Sequence, residues 1–296
     1  MKMTLMGTGT SHGVPVIGCT CKVCRSNDPH DKRMRCSAFI EPYGFVVDTG
    51  PEFRIQALRL GIKKVNAVFM THSHADHLNG LDDVRIFSHT NAVDGSSLYT
   101  GETEGEGLPV YANRGTISDI KKRFDYIFTP VKEGGGKPKI HLIDVKDFNQ
   151  KNPLVLDGLT VTPVPLVHGT LESTGWLFTE EKNGTKKTIA YLTDLNHIEE
   201  SSVKLIKESA GNLVHLVIDG LRKEKHSTHF CFKEALETAR KLLPVHTWLT
   251  HITHNMSHAE IQDYINKQLS CFKELEAIVK NGGSASPAYD GLVLET

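Results

Sequence analysis

Three histidines and an aspartate fall within six consecutive residues, directly after the apolar segment 67–70. The run reads His72-Ser73-His74-Ala75-Asp76-His77. In extended backbone, residues two apart point the same way, so His72 and His74 can contact one ion together. Asp76 and His77 follow at the turn into a predicted helix, where they can contact a second ion. Because imidazole and carboxylate suit zinc, manganese or iron at a hydrolytic site, the run predicts a dinuclear metal site.

Two ions need more ligands than this run supplies, and three later strand ends offer them. His168, Asp194 and His251 each follow an apolar segment. Loop residues that follow neighbouring strands converge at one edge of a sheet, so these side chains can approach the run. An aspartate such as Asp194 has two oxygens and can bridge two cations. Each residue taken alone is more typical of an ordinary loop, and only the ordered set supports the prediction.

A second cluster places three thiols within six residues, in the order Cys19-Thr20-Cys21-Lys22-Val23-Cys24. Three thiolates at this spacing can hold one zinc ion in a tetrahedral site, with a fourth ligand from elsewhere. An all-sulfur set on one segment is typical of a closed structural site rather than a catalytic one. Chance clustering and a redox pair are the alternatives.

The net charge of −1 gives no broad basic surface for binding nucleic acid. A local basic patch at 121–123 is more typical of a solvated helix face. The N-terminal apolar stretch is too short for a signal peptide, and no segment reaches the roughly 20 apolar residues of a membrane span. The expected location is therefore the cytoplasm, where cysteines stay reduced and clustered ones indicate metal before disulfide.

Short β-rich segments alternate with amphipathic ones, which favours a layered α/β fold with the sheets in the middle. The predicted strands are Lys2–Met6, Ser37–Glu41, Phe45–Asp48, Ala67–Thr71, Leu159–Pro163, Gly175–Thr179, Thr188–Thr193, Leu213–Asp219, Thr247–Thr250 and Gly291–Leu294. The predicted helices are Glu52–Leu60, Asp82–His89, Ile117–Phe124, Ser201–Ser209, Phe232–Leu243 and His258–Asn266. We expect one domain over 1–296, with a mobile insertion at 94–108, where four glycines stand among acidic and small residues.

The chain resembles the metallo-β-lactamase superfamily over nearly its whole length. The features that carry the resemblance occur in order: Gly7-Thr8-Gly9-Thr10-Ser11, the three clustered cysteines, Asp48-Thr49-Gly50-Pro51, the His72–His77 run, His168, Asp194 and Thr250-His251-Ile252-Thr253-His254. More narrowly, it resembles the branch that contains phosphoribosyl 1,2-cyclic phosphate phosphodiesterase. The resemblance implies a four-layer αβ/βα sandwich with two central mixed sheets and outer helices.

Carried over position by position, the resemblance implies two active-site ions and a separate structural zinc. One active-site ion would be bound by His72, His74 and His168, the other by Asp76, His77 and His251, and Asp194 would bridge the two. The structural zinc would be held by Cys19, Cys21, Cys24 and His254. Asp48 would be buried and would orient the metal-binding loop through hydrogen bonds. Zinc and manganese both remain open for the active-site pair.

Two further histidines lie close together in His226-Ser227-Thr228-His229. The resemblance places His229 at the position of a histidine that carries a proton to the leaving group. His226 is a competing candidate, and a helix N-terminal histidine without chemistry is the third reading. Arg54 could reach a substrate phosphate, although an ordinary ion pair is the commoner role for such a residue.

Together these features predict a metal-dependent phosphodiesterase. Two cations can share a hydroxide formed at neutral pH, which attacks phosphorus while both ions stabilise the added charge. The predicted catalytic residues are Asp76, Asp194 and His229, of which His229 supplies a proton to the leaving oxygen. The resemblance, and not the spacing, points to a small cyclic phosphodiester of ribose or a nucleotide.

Three other functions remain open from the sequence. A tRNA 3′-processing endonuclease shares the dinuclear motif, but the neutral charge and the lack of a long Gly/Pro/Lys-rich arm argue against it. A lactonase or thioesterase would use the same ions on a carbonyl carbon. A non-catalytic protein of the same fold, as in the pyrroloquinoline quinone branch, is disfavoured by the intact ligand set.

The expected partner is a small-molecule phosphodiester, with no membrane, no nucleic acid apart from the tRNA alternative, and a homodimer left open.

Overall fold

Two seven-stranded sheets form the centre of the computed structural model, which describes residues 1–89, 107–129, 137–149 and 151–296. In chain order the strands are β1 (Lys2–Gly7), β2 (Ser37–Glu41), β3 (Phe45–Val47), β4 (Ala67–Phe69), β5 (Leu108–Ala112), β6 (Ile140–Asp144), β7 (Leu154–Leu156), β8 (Leu159–His168), β9 (Leu171–Lys182), β10 (Thr185–Leu192), β11 (Asn212–Asp219), β12 (His246–Thr250), β13 (Ser284–Pro287) and β14 (Val293–Glu295).

Both sheets are mixed. The first has the order β14-β1-β2-β3-β4-β5-β6, and the second has the order β13-β12-β11-β10-β9-β8-β7. Strands β3 to β6 pair in parallel within the first sheet, as do β10 to β13 within the second. The other neighbours pair antiparallel. Each sheet therefore has a parallel half, whose strands end at a common edge.

The helices cover the outer faces of the sheets. They are α1 (Phe53–Leu60), α2 (Ala75–Leu78), α3 (Arg85–His89), α4 (Arg114–Arg123), α5 (Asp125–Phe128), α6 (Glu200–Ser209), α7 (Phe232–Leu242), α8 (His258–Leu269) and α9 (Lys273–Lys280). Helix α8 begins with a capping box in which Ser257 and Glu260 exchange hydrogen bonds. Every helix in the described ranges is too short or too polar to cross a lipid bilayer.

Aromatic side chains fill the space between the two sheets. Phe69 of β4 stacks on Tyr111 of β5 with ring centroids 5.1 Å apart. It also meets Trp176 and Phe178 of β9, in the other sheet, edge to face at 5.0 and 5.5 Å. All four side chains are buried, and such offset or edge-on contacts suit their ring quadrupoles.

Two more apolar clusters join the sheets to the helices. One contains Ile218 of β11, Leu236 of α7 and Ile261 of α8, and the other contains Val68 of β4 and Ile120 of α4. The layers therefore run helix, sheet, sheet, helix, which confirms the predicted four-layer sandwich with two central mixed sheets.

Several element predictions need correction. The predicted helix Asp82–His89 is wrong in its first half, because 81–84 forms a 3₁₀ turn after Gly80, whose N–H donates to the Thr49 carbonyl. The predicted strand Gly291–Leu294 is displaced, because Gly291 has φ +91° and forms a turn before β14. Patterning missed β5, β6, β7, β13, α2, α5 and α9. The predicted insertion 94–108 lies outside the described residues apart from its last two positions, where β5 begins at Leu108.

The chain turns sharply just beyond three strand ends. Two of the turns carry candidate metal ligands, and the third carries Asp48, which is predicted to orient the metal-binding loop. Asp48 follows β3, Asp194 lies beyond β10, and His251 follows β12. Their φ values are +58°, +60° and +59°, in the left-handed region that non-glycine residues rarely adopt. Such conformations persist where the surrounding structure enforces them and cluster at functional sites. This edge of the two sheets is therefore where a site is expected.

Candidate metal centre

The His72–His77 run leaves β4 and enters α2, and its first two histidines meet a histidine from the second sheet. Nε2 of His168 lies 3.2 Å from Nδ1 of His74. Ligand atoms of His72, His74 and His168 all lie within 4.8 Å of one another. Three imidazoles this close form one group that could hold a cation.

A second group forms beside the first. Nε2 of His77 lies 3.3 Å from Oδ2 of Asp76, and Nε2 of His251 lies 3.6 Å from the same oxygen. Ligand atoms of all three residues fall within 4.8 Å of one another. The later strand end at His251 thus meets the run, as the sequence predicts.

The Asp194 carboxylate lies between the two groups. Oδ2 is 3.1 Å from Nε2 of His77, and Oδ1 is 3.4 Å from Nε2 of His251. On the other side, Oδ1 is 3.8 Å from Nε2 of His72 and 3.8 Å from Nε2 of His168. One carboxylate therefore contacts both groups, which is the arrangement that a bridging ligand needs.

Buried nitrogen atoms without hydrogen-bond partners test whether cations fit this cluster. Nε2 of His72, Nε2 of His77 and both ring nitrogens of His251 are buried and have no partner in the part of the chain described. Leaving such polar atoms unpaired is costly, so native proteins rarely do it. Divalent cations would satisfy the inward-facing nitrogens, and the mixed nitrogen and oxygen donor set fits them.

The cysteine cluster meets a single histidine. Sγ atoms of Cys19, Cys21 and Cys24 lie 3.4, 3.4 and 3.3 Å from Nδ1 of His254. A hydrogen bond from the Cys24 amide N–H, with further bonds from its neighbours, lowers the pKa of the Cys21 thiol to about 6. Four ligand atoms at these distances, one of them a ready thiolate, fit a tetrahedral zinc site.

Comparison with known proteins identifies the family. A solved structure described as a new diphosphatase from the PhnP family is 36% identical, with a TM-score of 0.77, and the match covers 100% of this chain and 96% of that one. A family model described as a beta-lactamase superfamily domain matches residues 43–252, which include every candidate active-site ligand.

The chain belongs to the metallo-β-lactamase superfamily, in its PhnP family. It is therefore a metal-dependent hydrolase, and its fold implies divalent metal ions. The structure of zinc-bound PqqB from Methylobacterium extorquens has a TM-score of 0.67 at 18% identity and covers 100% of both chains, which shows the shared fold alone.

A curated relative from Porphyromonas gingivalis (strain ATCC BAA-308 / W83), named Octanoyltransferase, is 32% identical over 289 residues. The match covers 96% of this chain and 52% of the relative. The chain thus spans about half the length of that relative, whose name belongs to the longer protein.

In this metallo-β-lactamase superfamily member, hydrogen bonds fix the outward-facing nitrogens of three candidate ligands. Nδ1 of His77 lies 2.7 Å from Oδ2 of Asp48, and Nδ1 of His72 lies 3.0 Å from the Thr71 hydroxyl. Nδ1 of His168 lies 2.7 Å from the Thr228 carbonyl. These bonds set the tautomer of the three rings, so that Nε2 of His72, His77 and His168 faces the cluster without a proton once a cation is bound.

Burial and neighbouring charges shift the pKa values of the candidate ligands in different directions. Burial lowers the pKa of His72 and of His168, which keeps these imidazoles in the neutral form that binds metal. Burial would raise the pKa of Asp194, but the imidazoles of His251, His77 and His72 outweigh it and hold this pKa well below its usual range. The same carboxylate, with Asp76, outweighs burial at His251 and raises the pKa of that imidazole to about 9.

The two histidines proposed as proton carriers occupy different environments. Nδ1 of His229 lies 2.8 Å from Oδ2 of Asp219, and its ring lies 4.6 Å from the ring of His251. His226 is exposed, and its Nδ1 accepts from the Thr228 hydroxyl and N–H. The structure therefore brings His229, rather than His226, against the candidate ligands.

Arg54 lies elsewhere, on the exposed side of α1. It lines a cavity of about 660 Å³ with Asp82 and Asp83, and no histidine of the cluster lines that cavity. Asp219 is a residue that the sequence reasoning missed. Its signal was its position at the end of the apolar strand β11, next to the end of the parallel strand β10, which Asp194 follows.

Proposed function

We propose that the chain hydrolyses a small phosphodiester, with a cyclic phosphate of ribose or a nucleotide as the substrate class. The observation that carries the proposal is the pairing of His229 with Asp219 beside the candidate ligands. A phosphodiester with an alkoxide leaving group needs a proton at that oxygen, whereas many acyl substrates with good leaving groups do not. The His229–Asp219 pair offers a proton at that place.

The proposed ligand roles follow the grouping of the side chains. His72, His74 and His168 hold one divalent cation, Asp76, His77 and His251 hold the other, and Asp194 contacts both. Bound there, zinc or manganese supplies an activated water and neutralises negative charge on the phosphoryl group. The three cysteines and His254 hold a separate structural zinc.

The proton step depends on this chain's own residues. Nδ1–H of His229 donates to Asp219, so Nε2 is the nitrogen that carries the proton for the leaving oxygen. The buried Asp219 carboxylate fixes the orientation of the ring. The His229 side chain is only 12% exposed, so most of its surface faces protein rather than solvent.

Leaving-group dependence tests the proposal. His229→Gln, in protein reconstituted with zinc or manganese, should lower kcat on a 2′,3′-cyclic nucleotide by roughly 10²–10⁴-fold, the usual contribution of a general acid. The loss on bis-p-nitrophenyl phosphate should be far smaller, because nitrophenolate leaves without a proton. His226→Gln is the matched control and should change neither rate greatly. Equal losses on both substrates in His229→Gln would contradict the proposed proton transfer.

A diphosphate is a second candidate substrate, favoured by the 36% identical relative described as a diphosphatase. A phosphate leaving group also departs without protonation, so His229→Gln should scarcely affect a nucleoside diphosphate substrate. A panel of cyclic nucleotides, nucleoside diphosphates, precursor tRNA, lactones and thioesters (octanoyl thioester among them) separates the reaction classes. Asp194→Ala should lose activity on the best substrate, and full activity in that variant would overturn the dinuclear site.

A further inference from the structure

Helix α4 contacts Ser73, the second residue of the His72–His77 run, through two side chains. The Ser73 hydroxyl donates to Oδ2 of Asp119 at 2.5 Å. Nη1 of Arg123 donates to the Ser73 carbonyl at 2.5 Å. Asp119 and Arg123 are four residues apart and therefore share one face of the helix. Both the side chain and the backbone of the residue between His72 and His74 are held by this one face.

The helix itself is firmly anchored. Ile120 is fully buried in the apolar cluster beneath the first sheet. At the N-terminus, the Asn113 side chain accepts from the Thr116 N–H at 2.8 Å, which caps the helix. Asn113 also donates to the Thr174 hydroxyl at 3.2 Å, and the Thr174 N–H donates to the Thr71 carbonyl at 2.8 Å. A series of hydrogen bonds thus leads from Ser73 through α4 and β9 back to Thr71, the residue before the run.

This series of bonds passes through β9, the strand that pairs with the one carrying the third ligand of the same group. Thr174 belongs to β9, which pairs antiparallel with β8 from Thr160 to His168, the last residue of β8. Residue His168 pairs directly with Leu171 of β9. Helix α4 therefore fixes the run relative to the β8–β9 hairpin, and so fixes His72 and His74 relative to His168.

His74 depends on such support more than the other histidines of the run. The outer nitrogens of His72 and His77 are bonded to Thr71 and Asp48, whereas Nε2 of His74 has no recorded hydrogen-bond partner among the described residues. His74 is also exposed, and the rings it contacts are those of His72 and His168, the other members of its group, at 4.6 and 5.0 Å. The backbone on its N-terminal side also sets its position, and the adjacent backbone group there is the Ser73 carbonyl that Arg123 holds.

We propose that Asp119 and Arg123 are positioning residues that hold His74 in place for the cation it shares with His72 and His168. The inference rests on the ligand roles proposed above. It predicts that loosening Ser73 lowers the affinity for the cation assigned to His72, His74 and His168. The affinity for the cation assigned to Asp76, His77 and His251 should not change.

Metal titration of the chelator-stripped protein tests this positioning role. With Zn²⁺ as the probe, Asp119→Ala and Arg123→Ala should each lower the binding affinity for one of the two active-site Zn²⁺ ions by roughly tenfold or more. Substitution of other residues that orient metal ligands has effects of this size. With Co²⁺ in place of zinc, the visible absorption of that equivalent should change. Arg123→Lys keeps a donor for the carbonyl and should restore much of the affinity. Lys122→Ala, an exposed neighbour on the same helix, should titrate like the wild type.

A His74→Ala arm distinguishes this inference from the proposed ligand roles. If His74→Ala keeps both active-site equivalents, the ligand assignment itself is wrong. If His74→Ala loses one equivalent while Asp119→Ala and Arg123→Ala bind both ions as the wild type does, the positioning role is overturned. A lower melting temperature of the metal-free variants with unchanged Zn²⁺ affinity would likewise overturn it, because α4 would then contribute to stability alone.

Discussion

Oδ2 of Asp48 lies 2.7 Å from Nδ1 of His77, and both residues are fully buried. The same carboxylate accepts from the N–H and the hydroxyl of Thr71, each at 2.8 Å. Asp48 thus joins the end of β3 to Thr71, just before the run, and to His77, within α2. The contact orients Nε2 of His77 toward Asp194, and it agrees with the buried, orienting role that the sequence resemblance implies for Asp48.

Asp48→Asn should lower active-site metal affinity by roughly 10-fold to 100-fold. An amide offers one acceptor oxygen where three donors converge, so at least one buried donor loses its partner. Competition with a chelator, followed by metal analysis, measures the effect. Asp263→Asn, at an exposed position on α8, is the matched control. Wild-type metal retention in Asp48→Asn would show that the contact does not support the site.

Cys21→Ser should release about one zinc per chain and lower the melting temperature, since a structural zinc contributes to folding stability. The activity per correctly loaded active site should remain, because the cysteine group lies outside the candidate active site. Metal analysis with a thermal melt checks both parts. Cys271→Ser removes an exposed thiol outside the group and should change neither. Unchanged zinc content in Cys21→Ser would rule out the proposed structural zinc.

The fold class and the meeting of the candidate ligands could be predicted because each rests on local signals. Strand ends mark where side chains converge, and His168, Asp194 and His251 each follow an apolar strand. Contacts such as Asp119 with Ser73 have no such signal, since an exposed helix face and a distant loop show no shared pattern in the sequence. Strand β13 was missed for a related reason: Ser284-Ala285-Ser286-Pro287 contains no branched or aromatic side chain, and tertiary pairing alone makes it a strand.

Stability should depend on pH through Asp290. Burial raises the pKa of this carboxyl to about 6, despite hydrogen bonds from the Met34 N–H and the Thr8 hydroxyl. The folded pKa lies above the unfolded value of about 4, so the stability that the protonated group contributes is lost as pH rises through 6. Relative to Asp290→Asn, the wild type should lose about 2 kcal/mol between pH 4.5 and 7.5.

Urea unfolding of the metal-free proteins at the two pH values measures this difference. A difference in unfolding free energy between the wild type and Asp290→Asn that is the same at both pH values would reflect lost hydrogen bonds alone. The prediction is that this difference itself changes with pH. Asp263→Asn should follow the wild type at both pH values. If the difference in unfolding free energy between the wild type and Asp290→Asn is the same at both pH values, Asp290 is excluded as the titrating group.

Gly50 should be intolerant of any side chain, because the backbone of the run passes directly against it. A Cβ at Gly50 would lie 2.2 Å from the Asp76 carbonyl oxygen, and a Cβ at Gly80 would lie 2.1 Å from the Gly50 carbonyl oxygen. Backbone atoms cannot rotate away as a side chain can, so Gly50→Ala must displace the turn that carries Asp76 and His77. Overpacking of this kind costs about 1–3 kcal/mol.

Gly50→Ala should therefore lower both the unfolding free energy of the metal-free protein and the affinity for the cation assigned to Asp76, His77 and His251. Gly115→Ala is the matched control, because its new Cβ meets nothing closer than 3.5 Å. Since Gly115 lies in α4, that change should stabilise the protein by up to about 1 kcal/mol. The two glycine substitutions should change the unfolding free energy in opposite directions, because only the Cβ at position 50 meets backbone atoms. A Gly50→Ala protein as stable as Gly115→Ala would mean that the turn can move without disturbing its ligands.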